Sequence, residues 1–305
     1  MKIAVTGATG FIGRNVVESH LSKNDEVNIL TRQTGYSWQG VNCFFGDIAR
    51  PSETLEKFAN NVDILYNCAG EISDESKMYE LHVNGIERLL TISKGRVGRW
   101  VQLSSVGAYG QHKDKIVTEQ SQENPQNTYE WTKTVSDNLV INSGIDFNIL
   151  RPSVVFGPGM PNQSLNTFIK MIRKGVYFFI GPKGYIVNYV HVNDVSRALI
   201  LLGGISSHLN EVYILSQHTN VEGMVHALKR GMGINRTTLR LPEYPIRLIS
   251  KVLELFPNPI LTFSRIDNLT NRTIYSSEKI QSMVNYKYLN SLEEDFFQYI
   301  VENRV

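Results

Sequence analysis

Cysteine is scarce: Cys43 and Cys68 are the two in 305 residues. That number excludes a disulfide framework, and no Cys/His spacing matches a zinc site, so no metal is expected. A reducing, cytoplasmic setting suits such a chain. Charge of one sign is also missing. The 31 basic and 29 acidic side chains leave a formal charge of +2, so nothing singles out nucleic acid as a partner. Long apolar runs are absent too. The most apolar stretch, Ala198–Ile205, falls well short of the ~20 residues of a membrane-spanning helix, which argues against integral membrane association. Near Met1, Thr6 and Gly7 interrupt the apolar run before a signal-peptide core develops, so export is not expected. No internal repeat or low-complexity tract is visible. What remains is a chain with 42% hydrophobic and 20% charged residues, enough for a soluble protein of one to three domains.

Through the first half, short β-branched runs alternate with longer segments of helical period, the pattern of βαβ units that build a parallel sheet. The expected strands are Lys2–Thr6, Glu26–Thr31, Asn42–Gly46, Ile64–Asn67, Trp100–Ser104 and Phe147–Leu150. The expected helices are Phe11–Lys23, Ser52–Phe58, Ser76–Lys94 and Tyr129–Ser143. Nearly uninterrupted apolar strands imply helices on both faces of a doubly wound α/β sheet. After Arg151-Pro152 the turn-rich stretch Phe156–Pro161 ends the regular alternation. Residues 1–152 are therefore expected to form one domain, rejoined by about 190–217 through a strand at Glu211–Leu215. A smaller, mixed substrate-binding lobe is expected from 153–189 and 218–305.

The first strand runs straight into Gly7-Ala8-Thr9-Gly10-Phe11-Ile12-Gly13 and then into a helical pattern. Glycines in such a loop permit a tight turn and a close approach to a pyrophosphate, which the next helix meets with its amides and dipole. Placed between strand and helix, the loop marks a Rossmann-type dinucleotide site, with Gly7, Thr9, Gly10, Phe11, Ile12 and Gly13 along the cofactor. The second strand ends Ile29-Leu30-Thr31-Arg32-Gln33. No carboxylate stands there for a ribose 2′-hydroxyl, whereas Arg32 can pair with a 2′-phosphate, so NADP(H) is favoured over NAD(H). Otherwise Arg32 is a solvated loop residue. Asp47 and Ile48, after the third strand, suit an adenine: the carboxylate accepts its amino group and the isoleucine packs on its ring. Ala69 and Gly70, after the fourth, are small enough for backbone to approach the dinucleotide.

Tyr129 and Lys133, in Tyr129-Glu130-Trp131-Thr132-Lys133, stand four apart and so share one helix face. Tyrosine titrates near about 10 in solution, and a neighbouring ammonium would favour its phenolate and bring proton exchange toward neutrality. Ser104 and Ser105 close the fifth strand, where a hydroxyl can hold a substrate oxygen in line. Bare Tyr-x-x-x-Lys spacing is commonly a surface helix pair. Following a dinucleotide loop and a serine strand end, it becomes a candidate catalytic site.

Gly7–Gly13, Ser105–Gly110, Tyr129–Lys133 and Arg151–Gly159 together resemble the extended short-chain dehydrogenase/reductase superfamily, in its NAD-dependent epimerase/dehydratase branch. Asn188–Val195 resembles a later strand motif of the same family, so the likeness covers nearly the whole chain. The resemblance implies an enzyme in which Tyr129 is the acid/base, Lys133 holds the nicotinamide ribose and lowers the tyrosine pKa, and Ser105 aligns the reacting oxygen. It places Asn84 near the cofactor, the alternative being a helix residue bonded to backbone. Ser104, Pro152 and Val154 are expected along the cofactor as well, and Gly107 beside the substrate. Two departures stand out. Val154 replaces an asparagine that many nucleotide-sugar enzymes carry, and Ile186-Val187-Asn188-Tyr189 lacks an arginine that often precedes the later motif. Arg236, Arg240 and Arg265 are then the candidates for a diphosphate, Arg265 foremost because it precedes Tyr275–Lys279, which resembles the family's late motif.

The implied activity is hydride transfer at a secondary alcohol or ketone, with reduction of a keto group on a nucleoside-diphosphate sugar as the leading reading. A nucleotide-sugar 4-epimerase would use the same residues and return its hydride. A sterol- or dihydroflavonol-type dehydrogenase or reductase would suit the missing anchors. A non-catalytic dinucleotide sensor commonly lacks the tyrosine or the lysine, and both are present here. Homodimer formation is compatible with the family likeness. The helical pattern Pro245–Phe256 packs on its own lobe, or serves as a lid or surface contact.

Overall fold

Alternate residues of the first, fourth and fifth strands bury themselves on opposite sides, as the two-residue period of a strand requires. Ile3, Val5, Tyr66 and Val101 enter one apolar layer, while Ala4, Leu65 and Trp100 enter the other. The computed structural model of the chain describes residues 1–112, 115–253, 266, 267 and 269–303. Its first part runs β1 (Lys2–Thr6), α1 (Gly13–Leu21), β2 (Glu26–Thr31), β3 (Val41–Phe45), α2 (Glu53–Phe58), β4 (Val62–Asn67), α3 (Glu75–Tyr79), α4 (Gly85–Ser93), β5 (Val97–Leu103), β6 (Ile116–Val117), α5 (Thr128–Ile141) and β7 (Phe147–Pro152). There follow β8 (Val154–Phe156), α6 (Ser164–Lys174), β9 (Phe179–Ile180), β10 (Ile186–His191), α7 (Val192–Gly204), β11 (Glu211–Leu215) and β12 (Gln217–Asn220). The described chain ends with α8 (Val221–Gly231), β13 (Arg240–Leu241), α9 (Glu243–Leu253), β14 (Ile274–Tyr275), α10 (Glu278–Val284) and α11 (Leu292–Asn303).

Seven parallel strands form the central sheet in the order β11-β7-β5-β4-β1-β2-β3. Helices α1, α7 and α10 cover one face and α2, α4 and α5 the other, giving the Rossmann-type architecture. Strand order reverses between β1 and β4, and ligands of open α/β sheets bind in the crevice at such a point. Phe156, Ile169, Met224 and Phe296 centre a separate apolar cluster beside the sheet, built from α6, α8, α11 and the three-stranded sheet β12-β10-β8. Among the described residues no helix is long and apolar enough to cross a membrane.

One expected helix is not continuous. The stretch expected as Ser76–Lys94 is divided into α3, a π-turn over Glu80–Asn84, and α4. The wider turn closes with Gly85 N–H donating to the Glu80 carbonyl, and Gly85 lies against Ile48, where a Cβ would stand 3.1 Å from Cγ1. Helical period alone cannot show such a bulge, because it adds one residue to a turn without breaking the apolar pattern.

Candidate active site

Two loops flank the point where strand order reverses. Gly7 follows β1 with φ +64°, and a Cβ there would lie 2.5 Å from the Cys68 carbonyl oxygen and 2.7 Å from Ala69 N, after β4. Only glycine fits both the backbone angle and the approach. Gly10 N–H donates to the Gly7 carbonyl at 2.9 Å, and a Cβ on Gly13 would run into that same carbonyl. No side chain caps α1, which leaves its amino terminus open above this cradle. Thr9 and Gly10 are exposed and Ile12 packs on the sheet core, but Phe11 packs into the separate apolar cluster around Phe156. The loop thus joins the sheet core to that cluster.

Further along the crevice, Ala69 N–H donates to Thr6 Oγ1 at 3.3 Å and Gly70 is exposed. Arg32 is exposed just beyond β2, and its guanidinium meets no carboxylate among the described residues. Asp47 accepts Ala49 N–H on Oδ1 at 3.0 Å. Ile48 is buried, and its carbonyl takes a 2.5 Å hydrogen bond from Arg88 Nη1 on α4. Asn84 lies on the outer side of the π-turn, where Nδ2 donates to Glu80 Oε2 at 2.5 Å.

Asn127 caps α5 by accepting Glu130 N–H at 3.0 Å, and Glu130 answers by accepting Gln126 N–H at 2.7 Å. That start sets the phase of the helix, so Tyr129, in its first turn, meets the end of β5. The Tyr129 phenol faces the Ser105 hydroxyl, whose oxygen accepts Gly107 N–H at 3.0 Å. A Cβ on Gly107 would collide with Glu130 Cγ at 2.7 Å, so the Ser105–Gly107 turn can lie flat against α5 only with glycine there.

Lys133 sits one helical turn deeper, 4% exposed, and Nζ donates to the Leu103 carbonyl at 2.5 Å. This departs from the expected phenolate. Burial raises the Tyr129 pKa above the usual phenol range, and the Ser105 hydroxyl only partly opposes it. The ammonium is directed at β5, and burial lowers its own pKa.

A buried charge network lies beneath. Asp137, one turn after Lys133, accepts from Ser104 Oγ at 2.7 Å, Arg151 Nε at 3.0 Å and Arg151 Nη2 at 2.9 Å. Arg151 continues outward to Glu123 at 2.6 Å and stands 5.0 Å over the Tyr109 ring. The Ser104 hydroxyl therefore turns inward to Asp137. Pro152 is buried at the end of β7, and Val154 just beyond it leaves 47% of its surface exposed. Asp137 escaped the sequence reading, although its spacing of four from Lys133 on an interior helix face was a usable signal. His82 carried no such signal.

Two of the three arginines considered for a diphosphate have other roles. Arg236 Nη2 donates to the Ile172 and Arg173 carbonyls at the end of α6. Arg240 pairs with Glu222 and donates to the Gly181 and Pro182 carbonyls, stacking 4.7 Å over Phe179. Both hold carbonyls at chain reversals that local backbone leaves without a donor. Arg265, like residues 254–256 of the expected late helix, lies outside the described residues. Among the described residues no group of three metal-ligating side chains comes together.

The model of the NAD dependent epimerase/dehydratase family matches residues 3–215. Sterol demethylase protein B of Methylococcus capsulatus is 27% identical over 259 residues, 79% of this chain and 78% of that protein. The UDP-glucose 4-epimerase of Vibrio cholerae is 23% identical over 317 residues, 97% of this chain and 93% of that protein. Among solved structures, the UDP-glucuronic acid 4-epimerase of Bacillus cereus in complex with NAD superposes with a TM-score of 0.76 at 18% identity, covering 100% of both chains.

Proposed function

The chain belongs to the NAD dependent epimerase/dehydratase family, and from that premise we propose that it is a nicotinamide-dependent oxidoreductase acting on a secondary alcohol or ketone. The observation that carries the reading is the Tyr129 phenol facing Ser105 at the end of β5, with Lys133 one turn below and the glycine cradle after β1. When bound, the dinucleotide supplies or accepts the hydride. The cradle at Gly7 and Gly13, the uncapped start of α1 and the free carboxylate oxygen of Asp47 fit such a group. Arg32, with no carboxylate partner among the described residues, favours NADP(H) through its 2′-phosphate.

In reduction Tyr129 holds the proton that the carbonyl oxygen takes as its carbon receives hydride, and the Ser105 hydroxyl donates to the same oxygen. The phenol, its pKa raised further by burial, is protonated at neutral pH, the form reduction needs. In oxidation the same phenol must first be deprotonated. Lys133 would hold a ribose hydroxyl of the bound dinucleotide, and Asp137 supplies the negative charge that offsets its burial.

We read the substrate as a ketone or alcohol with an apolar body. Val154 is exposed where β7 leaves the sheet, Val187 is buried, and Arg236 and Arg240 are committed within the lobe. A nucleoside-diphosphate sugar is the second reading, supported by Arg272, an exposed cation 5.4 Å from the Tyr185 ring, with Arg265 also proposed. Oxidation of NADPH and NADH against apolar cyclic ketones and keto-sugar nucleotides tests both. Turnover confined to the sugar nucleotides would overturn the apolar reading, and turnover of neither class, in either direction, would overturn the oxidoreductase.

A further inference from the structure

His82 lies in the π-turn before α4, is 2% exposed, and uses both ring nitrogens. Glu71 N–H, in the loop after β4, points at Nε2 at 2.9 Å. A backbone amide can only donate, so Nε2 must carry a free lone pair. Nδ1 stands 2.9 Å from Thr132 Oγ1, whose single hydrogen is directed at the Thr128 and Tyr129 carbonyls at 2.8 and 3.1 Å. The threonine oxygen therefore accepts, and the imidazole proton sits on Nδ1.

The ring occupies a junction of three elements. Gly70 lies so close that a Cβ there would be 3.7 Å from Nε2. The Tyr129 ring meets the imidazole edge to face, with centroids 5.9 Å apart. The charged groups around it are the Lys133 ammonium on α5 and the Glu71 carboxylate, and the latter is turned to the amides of Ile72, Ser73 and Asp74. Burial, helped by Lys133, pushes the His82 pKa down to about 3, so the ring is neutral at working pH.

We propose that His82 is a positioning residue: as the neutral, Nδ1-protonated imidazole it pins the cofactor loop at Gly70–Glu71 to the Tyr129–Thr132 turn of α5. It thereby sets the separation between the nicotinamide and the proton donor. No other described side chain bonds both the loop and that turn. The inference rests on the oxidoreductase reading for its effect on turnover, but not for its geometry.

Three measurements on the full chain separate these. In 15N-histidine-labelled protein, His82 should show one neutral tautomer, protonated on Nδ1, from about pH 5 to pH 9. An imidazolium at neutral pH, or a proton on Nε2, overturns the inference. His82→Leu should speed hydrogen exchange at the Glu71 amide and lower kcat by roughly tenfold to a hundredfold, since displacement by about 1 Å is enough for that. His82→Gln, which can accept and donate at once, should restore part of the loss. Thr132→Val removes one anchor with little change of shape and keeps the test open if His82→Leu fails to fold; it should lower kcat in the same direction. Native Glu71 exchange and native kcat in both His82→Leu and Thr132→Val overturn the pin even where Tyr129→Phe abolishes turnover. If Tyr129→Phe instead keeps turnover, the acid/base reading falls, while tautomer and amide exchange still decide the pin.

Discussion

Asp137→Asn removes a charge and almost no volume, so it isolates the electrostatics of the network under Lys133. Natively, one carboxylate oxygen takes three donors, from Ser104 and twice from Arg151, at 2.7 to 3.0 Å. The Asp137 side chain is fully buried and Arg151 is 2% exposed, so neither charge has water to fall back on. The amide would leave the guanidinium with Glu123, whose side chain is 36% exposed, and with the Tyr109 ring. Removing one partner of a buried ion pair typically costs about 3–5 kcal/mol, and the retained Glu123 places the loss at the lower end, about 3 kcal/mol. Adding Arg151→Met removes the stranded charge and should recover most of that loss. Equilibrium urea unfolding followed by tryptophan fluorescence checks both variants, provided the slope m is unchanged. A single variant within about 0.5 kcal/mol of native, the range of ordinary surface changes, would refute the network. So would a double variant less stable than the single one.

Tyr129→Phe should abolish turnover, by about a hundredfold or more, while leaving dinucleotide affinity within about twofold, as steady-state kinetics and calorimetry would show. Arg32→Ala should weaken NADP(H) by roughly fivefold to thirtyfold, the worth of one solvent-exposed charge-assisted bond, and leave NAD(H) unchanged. A native preference for NAD(H) in the same titrations would remove that contact. Gly7→Ala would place a methyl group 2.5 Å from the Cys68 carbonyl at a φ of +64°, so dinucleotide binding should fall at least about tenfold together with Tm. Burial raises the Tyr129 pKa, and the protonated phenol is the form that serves reduction, so kcat for reduction should stay flat between about pH 6 and pH 9. For oxidation the phenolate is needed, and kcat should climb with pH over the same interval; a plateau reached by about pH 7 would show that bound cofactor draws Lys133 toward the phenol.

Features that depend on neighbours in the chain could be read before any fold was known. Alternation of β-branched and helical segments implied a parallel sheet, because each pattern expresses the period of its own backbone. The Gly7–Gly13 loop was legible because its position between strand and helix restricts what it can be. Tyr129 and Lys133 share a face because 3.6 residues make a turn, and Ser105 fell into place as the end of the preceding strand. What lay beyond reach joins distant segments: Glu71 to His82 to Thr132, Ser104 to Asp137 to Arg151 to Glu123, and Arg240 to Gly181 and Glu222. The direction of the Lys133 ammonium belongs here too, because Leu103 offers its carbonyl only after α5 has docked on β5. Tertiary packing decided these contacts because a buried polar group must take whichever partner the docked elements bring within about 3 Å, and local periodicity carries no information about that partner.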